Sequence, residues 1–212
     1  ELIGAFLRGE DIHTRTAAEV YGVPMEEVTP KMRSSAKAVN FGIVYGISDY
    51  GLARGIGTSR HEAKDFINRY FRHYRGVKMY LDETVKRAKA DGYVTTLFNR
   101  RRYLPDLTSP KAAVRKFAER TAMNTPIQGT AADIIQLAMV EVDRRLAERG
   151  LAAKLILQVH DELVFEVPEE EVREVASLVA RAMEGVVSLR VPLKVEVKAG
   201  PNWLDGEPVM IG

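Results

Sequence analysis

With 212 residues, 46% hydrophobic and 28% charged, the chain is long enough for one large domain or two small ones around a real core. It has no cysteine, which excludes disulfides and thiolate metal sites and suits an intracellular protein. A net charge of +2, no apolar run near the ~20 residues a bilayer needs, and an opening ELIGAFLRGED without charged leader or cleavage site predict no membrane partner and no signal peptide.

Residues 1–7 have helical apolar spacing but no N-terminal cap, which reads as the tail of a helix begun upstream and hints at a fragment. Asp11 is placed to cap a helix through Tyr21, and Thr29 with Pro30 starts another, expected to run to about Gly46. Residues 61–74 and 77–90 read as amphipathic helices, the second closed by Asp91-Gly92. A small hairpin is expected from 93–98 and 102–104, turning at Asn99-Arg100. Residues 111–123 read as helix, Pro126 as an interruption, and 130–149 as helix again.

Between Phe98 and Arg120 lie seven basic residues (Arg100, Arg101, Arg102, Lys111, Arg115, Lys116, Arg120) against Asp106 and Glu119. On a nearly neutral chain such a band is either a footprint for a polyanion or a solvated helix face. From Glu166 to Glu174 the balance inverts, with five glutamates and only Arg173.

Residues 155–167, LILQVHDELVFEV, predict two apolar strands pinched around a polar apex, His160-Asp161-Glu162, at the tip of a buried hairpin. Adjacent carboxylates there can hold a divalent metal, or can be no more than a polar turn. Pro168 opens a helix through Met183, and 193–197 reads as a last strand. Many helices followed by a strand pair, a helix and a strand predict α+β.

Arg33, Lys37, Phe41 and Tyr45 recur every four residues and so form one slowly winding stripe on a helix. Two cations followed by two aromatics suit a triphosphate and then a base. Spacing alone leaves the other reading open, in which Phe41 and Tyr45 face the core. Gly42 and Gly46 each cost the helix ~1 kcal/mol relative to Ala, which suits a close approach or a bend.

Arg33-x-x-x-Lys37-x-x-x-Phe41-Gly42-x-x-Tyr45-Gly46 resembles motif B of the bacterial DNA polymerase I family (family A), and Gln158-Val159-His160-Asp161-Glu162 resembles its motif C. Asn124-Thr125-Pro126-Ile127-Gln128-Gly129-Thr130-Ala131-Ala132-Asp133 is similar to the segment that follows the primer–template minor groove. Asp11-Ile12-His13-Thr14 and Thr96-Leu97-Phe98-Asn99-Arg100-Arg101-Arg102-Tyr103 fit in the same order, over residues 1–203.

The resemblance implies a helical fingers subdomain over 1–100 and part of an antiparallel-sheet palm over 101–212, a right-hand polymerase fold left incomplete. It implies that His13, Arg33 and Lys37 grip a deoxynucleoside triphosphate, with Lys37 nearest the reacting phosphate. Phe41 lies against sugar and base and disfavours dideoxynucleotides, and Tyr45 stacks at the templating position. Asp161 is a ligand in a two-Mg2+ mechanism and Glu162 an auxiliary carboxylate. Arg120, Asn124, Gln128 and His160 follow the minor groove of primer–template DNA, while Arg101, Arg115 and Lys116 meet backbone phosphates. Asp133 is expected to be a helix residue, and His61 and His73 surface residues. The implied setting is replication and repair in the bacterial cytoplasm, at the nucleoid.

Two departures limit the match. Asn99 stands where the family usually has Gly, which the left-handed tolerance of Asn accommodates. Motif A, with its metal-binding aspartate, is expected just before Glu1, so the isolated chain is expected to be inactive without a partner carrying thumb and motif A. The alternatives are a split subunit or DNA-binding module that needs that partner, and a single-subunit RNA polymerase relative.

Overall fold

In the computed structural model, residues 2–211 are described; Glu1, where the first helix and the resemblance were expected to begin, and Gly212 lie outside them. The architecture is α+β, with helices dominating and three two-stranded antiparallel sheets. Packing divides the chain into two units, residues 1–130 and 131–212.

The first unit is a set of helices: α1 (Leu2–Leu7), α2 (Ile12–Tyr21), α3 (Pro30–Val44), α4 (Asp49–Ile56), α5 (Arg60–His73) and α6 (Arg75–Asp91). Each boundary has a local cause. Asp11 caps α2 by accepting from His13 N, Thr29 caps α3 by accepting from Met32 N, and Ser59 with Glu62 forms a reciprocal capping box on α5. Gly92, in the left-handed region, closes α6. Ala17, Val20, Ala36, Val39, Leu52, Phe66, Tyr70 and Leu81 form the core of this unit. Full burial of Leu52 alone contributes ~2 kcal/mol.

Helix α4 was not foreseen. Its signals are present, with Ser48 accepting from Gly51 N at the start and left-handed Gly57 at the end. Eight residues give too short a period to stand out beside the longer α3.

The hairpin is β1 (Tyr93–Thr95) paired with β2 (Arg101–Tyr103), Val94 opposite Arg102. Its turn holds Asn99 at φ 63, the left-handed conformation that Asn tolerates. A second core joins this hairpin to the helices around it through Ala88, Val94, Leu104, Leu107, Ala118 and Ala122. That core ties the hairpin and the start of the next helix into the unit that packing closes at Thr130.

Helix α7 runs unbroken over Ala112–Arg149 with Pro126 inside it, which corrects the expected interruption. Proline removes one N–H and crowds the carbonyl four residues back, a cost of ~3 kcal/mol. Tertiary bonds offset it on both sides. Leu97 N donates to Thr130 Oγ1 (2.9 Å), and Arg102 Nη1 donates to Thr125 Oγ1 (3.2 Å).

In the second unit β3 (Lys154–Val159) pairs antiparallel with β4 (Glu162–Glu166), and α8 (Val172–Gly185) follows. Val142, Leu146, Ala153, Val175, Val179 and Ala182 form its core. Glu171 satisfies the backbone ahead of β3, accepting from Ala152 N (2.9 Å) and Ala153 N (3.2 Å).

The expected strand at 193–197 is irregular. A strand needs a partner to satisfy its backbone, and here Val195 N donates to Glu184 Oε1 (3.0 Å) instead. The closing pair is β5 (Lys198–Ala199) with β6 (Glu207–Pro208).

Candidate functional site

Helix α3 buries Ser35, Ala36, Val39, Gly42 and Ile43. This leaves the stripe Arg33, Lys37, Phe41 and Tyr45 outside, with Phe41 52% and Tyr45 48% exposed. The core-facing reading of the two aromatics is thereby excluded. Exposed aromatics in line with two cations form a surface that can take an anion at one end and a planar ring at the other.

The start of α2 meets this stripe. Arg33 Nε donates to Asp11 Oδ2 at 2.5 Å, and the same carboxylate accepts from Thr14 Oγ1 (2.7 Å) and His13 N (3.0 Å). The Arg33 hydrogen bond, helped by the other two, holds the Asp11 carboxyl well below the usual carboxylate range. The His13 ring lies 5.7 Å from that of Phe41, and Asn40 Nδ2 contacts its Nδ1 at 3.1 Å. Burial pushes the His13 imidazole below its ordinary value; Arg33 and Lys37 push the same way, and Asp11 opposes them. His13, Arg33, Lys37 and Phe41, proposed from sequence, are thus brought together. Asp11 was foreseen as a cap and as part of the Asp11–Thr14 match but given no role in the site, and Asn40 was not singled out at all. The available signal for Asn40 was an amide on α3 three residues beyond Lys37 and beside Phe41, between the exposed stripe and the core.

At the end of α3, Gly46 takes φ 64, and a Cβ there would meet Met123 Cε at 2.7 Å and Arg120 Cγ at 2.8 Å. A Cβ on Gly42 would meet Ile47 Cγ2 at 2.7 Å. The two glycines therefore answer to close approach. They leave a shallow hollow lined by Tyr45, Gly46, Ile47, Ser48, Gly51 and Arg120.

The basic band is unevenly committed. Arg120 and Lys116 are exposed, the Arg120 guanidinium lying 5.7 Å from the Phe117 ring centre. Arg101 stacks over Tyr93 at 4.8 Å. Arg115 Nη1 donates to Ser109 O (2.8 Å), which ties it into the turn before α7. On α7, Gln128 is exposed and Asn124 half-buried.

In the second unit the apex is tighter than expected. Val159 pairs with Glu162, so the turn is His160-Asp161 and Glu162 belongs to β4. His160 adopts φ 53, and its carbonyl accepts from Gln158 Nε2 (2.6 Å). The hairpin is not buried as expected; Ile156 is 52% and Leu157 47% exposed. Asp161 and Glu162 are both open to solvent. Among the described residues no group of three or more His, Cys, Asp or Glu side chains gathers as a metal site. Neighbouring exposed carboxylates are the oxygen donors that a hard divalent cation takes, with water and phosphate oxygens completing its shell.

The remaining expectations are mixed. Asp133 lies buried on α7, as a helix residue. His61 is exposed beside Asp65. His73 is only partly at the surface, with Nδ1 at 3.4 Å from Glu19 Oε2 and its ring 4.6 Å from that of Tyr74.

Comparison with known proteins bears on nearly all of the chain. A family model described as DNA polymerase family A matches residues 1–205. DNA polymerase I of Geobacillus stearothermophilus is 59% identical over 206 residues, covering 97% of this chain and 24% of that protein. DNA polymerase I of Caldicellulosiruptor bescii is 60% identical over 204 residues, covering 96% and 24%. The chain thus spans about a quarter of the length of these relatives. A solved structure, described as the POL domain of Pol1 from M. smegmatis in complex with DNA primer-template and dNTP, matches with TM-score 0.87 at 48% identity, covering 91% of this chain and 34% of that one.

Proposed function

The chain belongs to DNA polymerase family A, and from that premise we propose that it supplies the nucleotide-gripping and part of the metal-holding machinery of a DNA-directed DNA polymerase. The observation that carries this reading is the outward stripe Arg33–Lys37–Phe41–Tyr45, joined at Arg33 to Asp11 and at Phe41 to His13. Residues 1–100 act as fingers and 101–212 as C-terminal palm.

Arg33, Lys37 and His13 receive the triphosphate of an incoming deoxynucleotide. Guanidinium and ammonium groups offset the charge that develops as the bond to pyrophosphate breaks, and Lys37 can give the leaving group a proton. Phe41 supports the sugar and base, and Tyr45 stacks at the templating position. Arg120, Asn124, Gln128 and His160 donate to minor-groove acceptors that are similar for every Watson–Crick pair, which tests pair geometry without reading sequence. Arg101, Arg115 and Lys116 hold backbone phosphates.

Asp161 and Glu162 would hold Mg2+, which supplies activation of the primer 3′-hydroxyl and neutralisation of the pyrophosphate. Two carboxylates do not complete the coordination of two ions. The 212-residue chain alone therefore extends no primer; a polymerase segment carrying thumb and motif A is the partner that completes the site. The setting is replication and repair at the bacterial nucleoid, in keeping with relatives that are DNA polymerase I of bacteria.

The test is magnesium-dependent primer extension by the purified chain, with and without that segment. Extension only with the segment present, abolished by Asp161→Ala, is expected. Extension by the chain alone would overturn the metal-site reading.

A further inference from the structure

The nucleotide end of α3 contains a polar relay that the triphosphate contacts do not require. Thr16 is fully buried on α2, and its hydroxyl lies 3.1 Å from Asn40 Nδ2 and 3.2 Å from Asn40 Oδ1. Asn40 Nδ2 lies 3.1 Å from His13 Nδ1. With Nδ2 turned toward the ring, the amide offers hydrogens and no lone pair, so the imidazole nitrogen facing it accepts. A neutral imidazole with a bare Nδ1 carries its proton on Nε2.

We propose that Asn40, anchored by Thr16, is a positioning residue that fixes His13 as the neutral Nε2–H tautomer, so that His13 meets a nucleotide phosphate as a hydrogen-bond donor and not as a cation. The inference rests on the nucleotide reading for what Nε2 donates to, but its tautomer content stands on the relay alone. The surroundings of the ring agree with it. Burial disfavours a charge on the imidazole most; Asp11, at the start of α2, opposes it, and Arg33 and Lys37 on α3 act with burial. A protonated ring would also set Nδ1–H against the Asn40 amino group.

Two cationic side chains already supply charge for the phosphates. A neutral donor at His13 adds direction without further desolvation cost for a charge, and its hydrogen bond holds across neutral pH while the ring stays unprotonated.

Two readouts on the full-length protein test this: ring-15N histidine spectra, and deoxynucleoside triphosphate affinity in a double-mutant cycle. Wild-type His13 should show a protonated Nε2 and a bare Nδ1 at neutral pH. Asn40→Leu should mix the two tautomers and weaken affinity by about fivefold, the loss of one ordinary hydrogen bond. That loss should vanish in a His13→Ala background, which a general structural defect would not do. A Nδ1–H tautomer in the wild type, or an Asn40→Leu loss of equal size in both backgrounds, would overturn the relay; the wild-type spectrum decides even where the variant fails to fold. If Arg33→Ala, Lys37→Ala and His13→Ala all leave affinity unchanged, the nucleotide reading falls instead, and the tautomer spectrum still judges the relay.

Discussion

At position 41 of α3 a large aromatic ring stands half in water while its neighbour Val39 is fully buried. The two side chains should therefore respond oppositely to truncation. Phe41→Ala is expected to change unfolding free energy by no more than ~0.5 kcal/mol and to weaken deoxynucleotide binding, whereas Val39→Ala costs ~2 kcal/mol and acts on binding only through stability. Chemical denaturation and equilibrium nucleotide binding on both variants check this pair. Asp11 gives a second test. Its carboxyl titrates below the ordinary range in the folded state, so its contribution to stability is complete above the usual carboxylate value near ~4 and is lost as pH falls through the depressed one. Asp11→Asn keeps a capping side chain and removes the charge. It should lose little at pH 7, since an exposed ion pair is worth ~1 kcal/mol or less, and should flatten the acid limb of a melting-temperature profile against pH. Spacing in the sequence placed Arg33, Lys37, Phe41 and Tyr45 on one stripe, because a step of four residues nearly closes a helical turn. It could not say which way the stripe faced, since facing is decided by the helices packed on the other side. Asn40 and the Arg33–Asp11 pair were hidden for the same reason: their partners lie 27 and 22 residues away.

Among the elements, those with complete local signals were legible. The capped starts of α2 and α3, the Gly92 stop of α6 and the 93–103 hairpin all formed where propensity and turn chemistry agreed. The failures came where tertiary contacts outweighed a local rule. Pro126 should break a helix, yet Leu97 and Arg102 from the hairpin bond to the threonines on either side of it and α7 continues. Residues 193–197 alternate as a strand should, but a strand forms only with a partner, and their alternation carried no information about one. Gly129 poses the same contest. Helix propensity alone favours Gly129→Ala by ~1 kcal/mol, but its Cβ would meet the buried Thr96 Cγ2 at 2.7 Å. Overpacking of that kind costs ~1–3 kcal/mol, so the substitution should destabilise on balance. The Thr96 hydroxyl accepts from Phe98 N and Arg100 N and must be kept. Thr96→Ser keeps it and removes the methyl, so the double variant should recover most of the loss. Additive behaviour in denaturant melts would show that the contact is not what opposes alanine.

For the molecule as a whole, a net charge of +2 is too small to attract a polyanion from a distance. Affinity for DNA must then come from the basic band, and its parts differ in availability. Lys116 is exposed, and Arg101 is exposed while resting on the Tyr93 ring, so both can exchange water for a phosphate at little structural cost. Arg115 is half-buried and bonded to the Ser109 carbonyl, so it supports the turn into α7 as well as any phosphate. Each phosphate neutralised by such a side chain releases counterions and adds ~0.9 to the slope of log affinity against log salt. Lys116→Ala and Arg101→Ala are therefore expected to lower that slope by about one each, uniformly across DNA sequences and with melting temperature unchanged. Arg115→Ala should lower the melting temperature as well, because it leaves a carbonyl unpaired. Binding to a fluorescent primer–template across a salt series, alongside thermal melts of the three variants, separates the two behaviours. An unchanged slope in both Lys116→Ala and Arg101→Ala would mean that the band is a solvated helix face after all, and that DNA is held elsewhere on the chain.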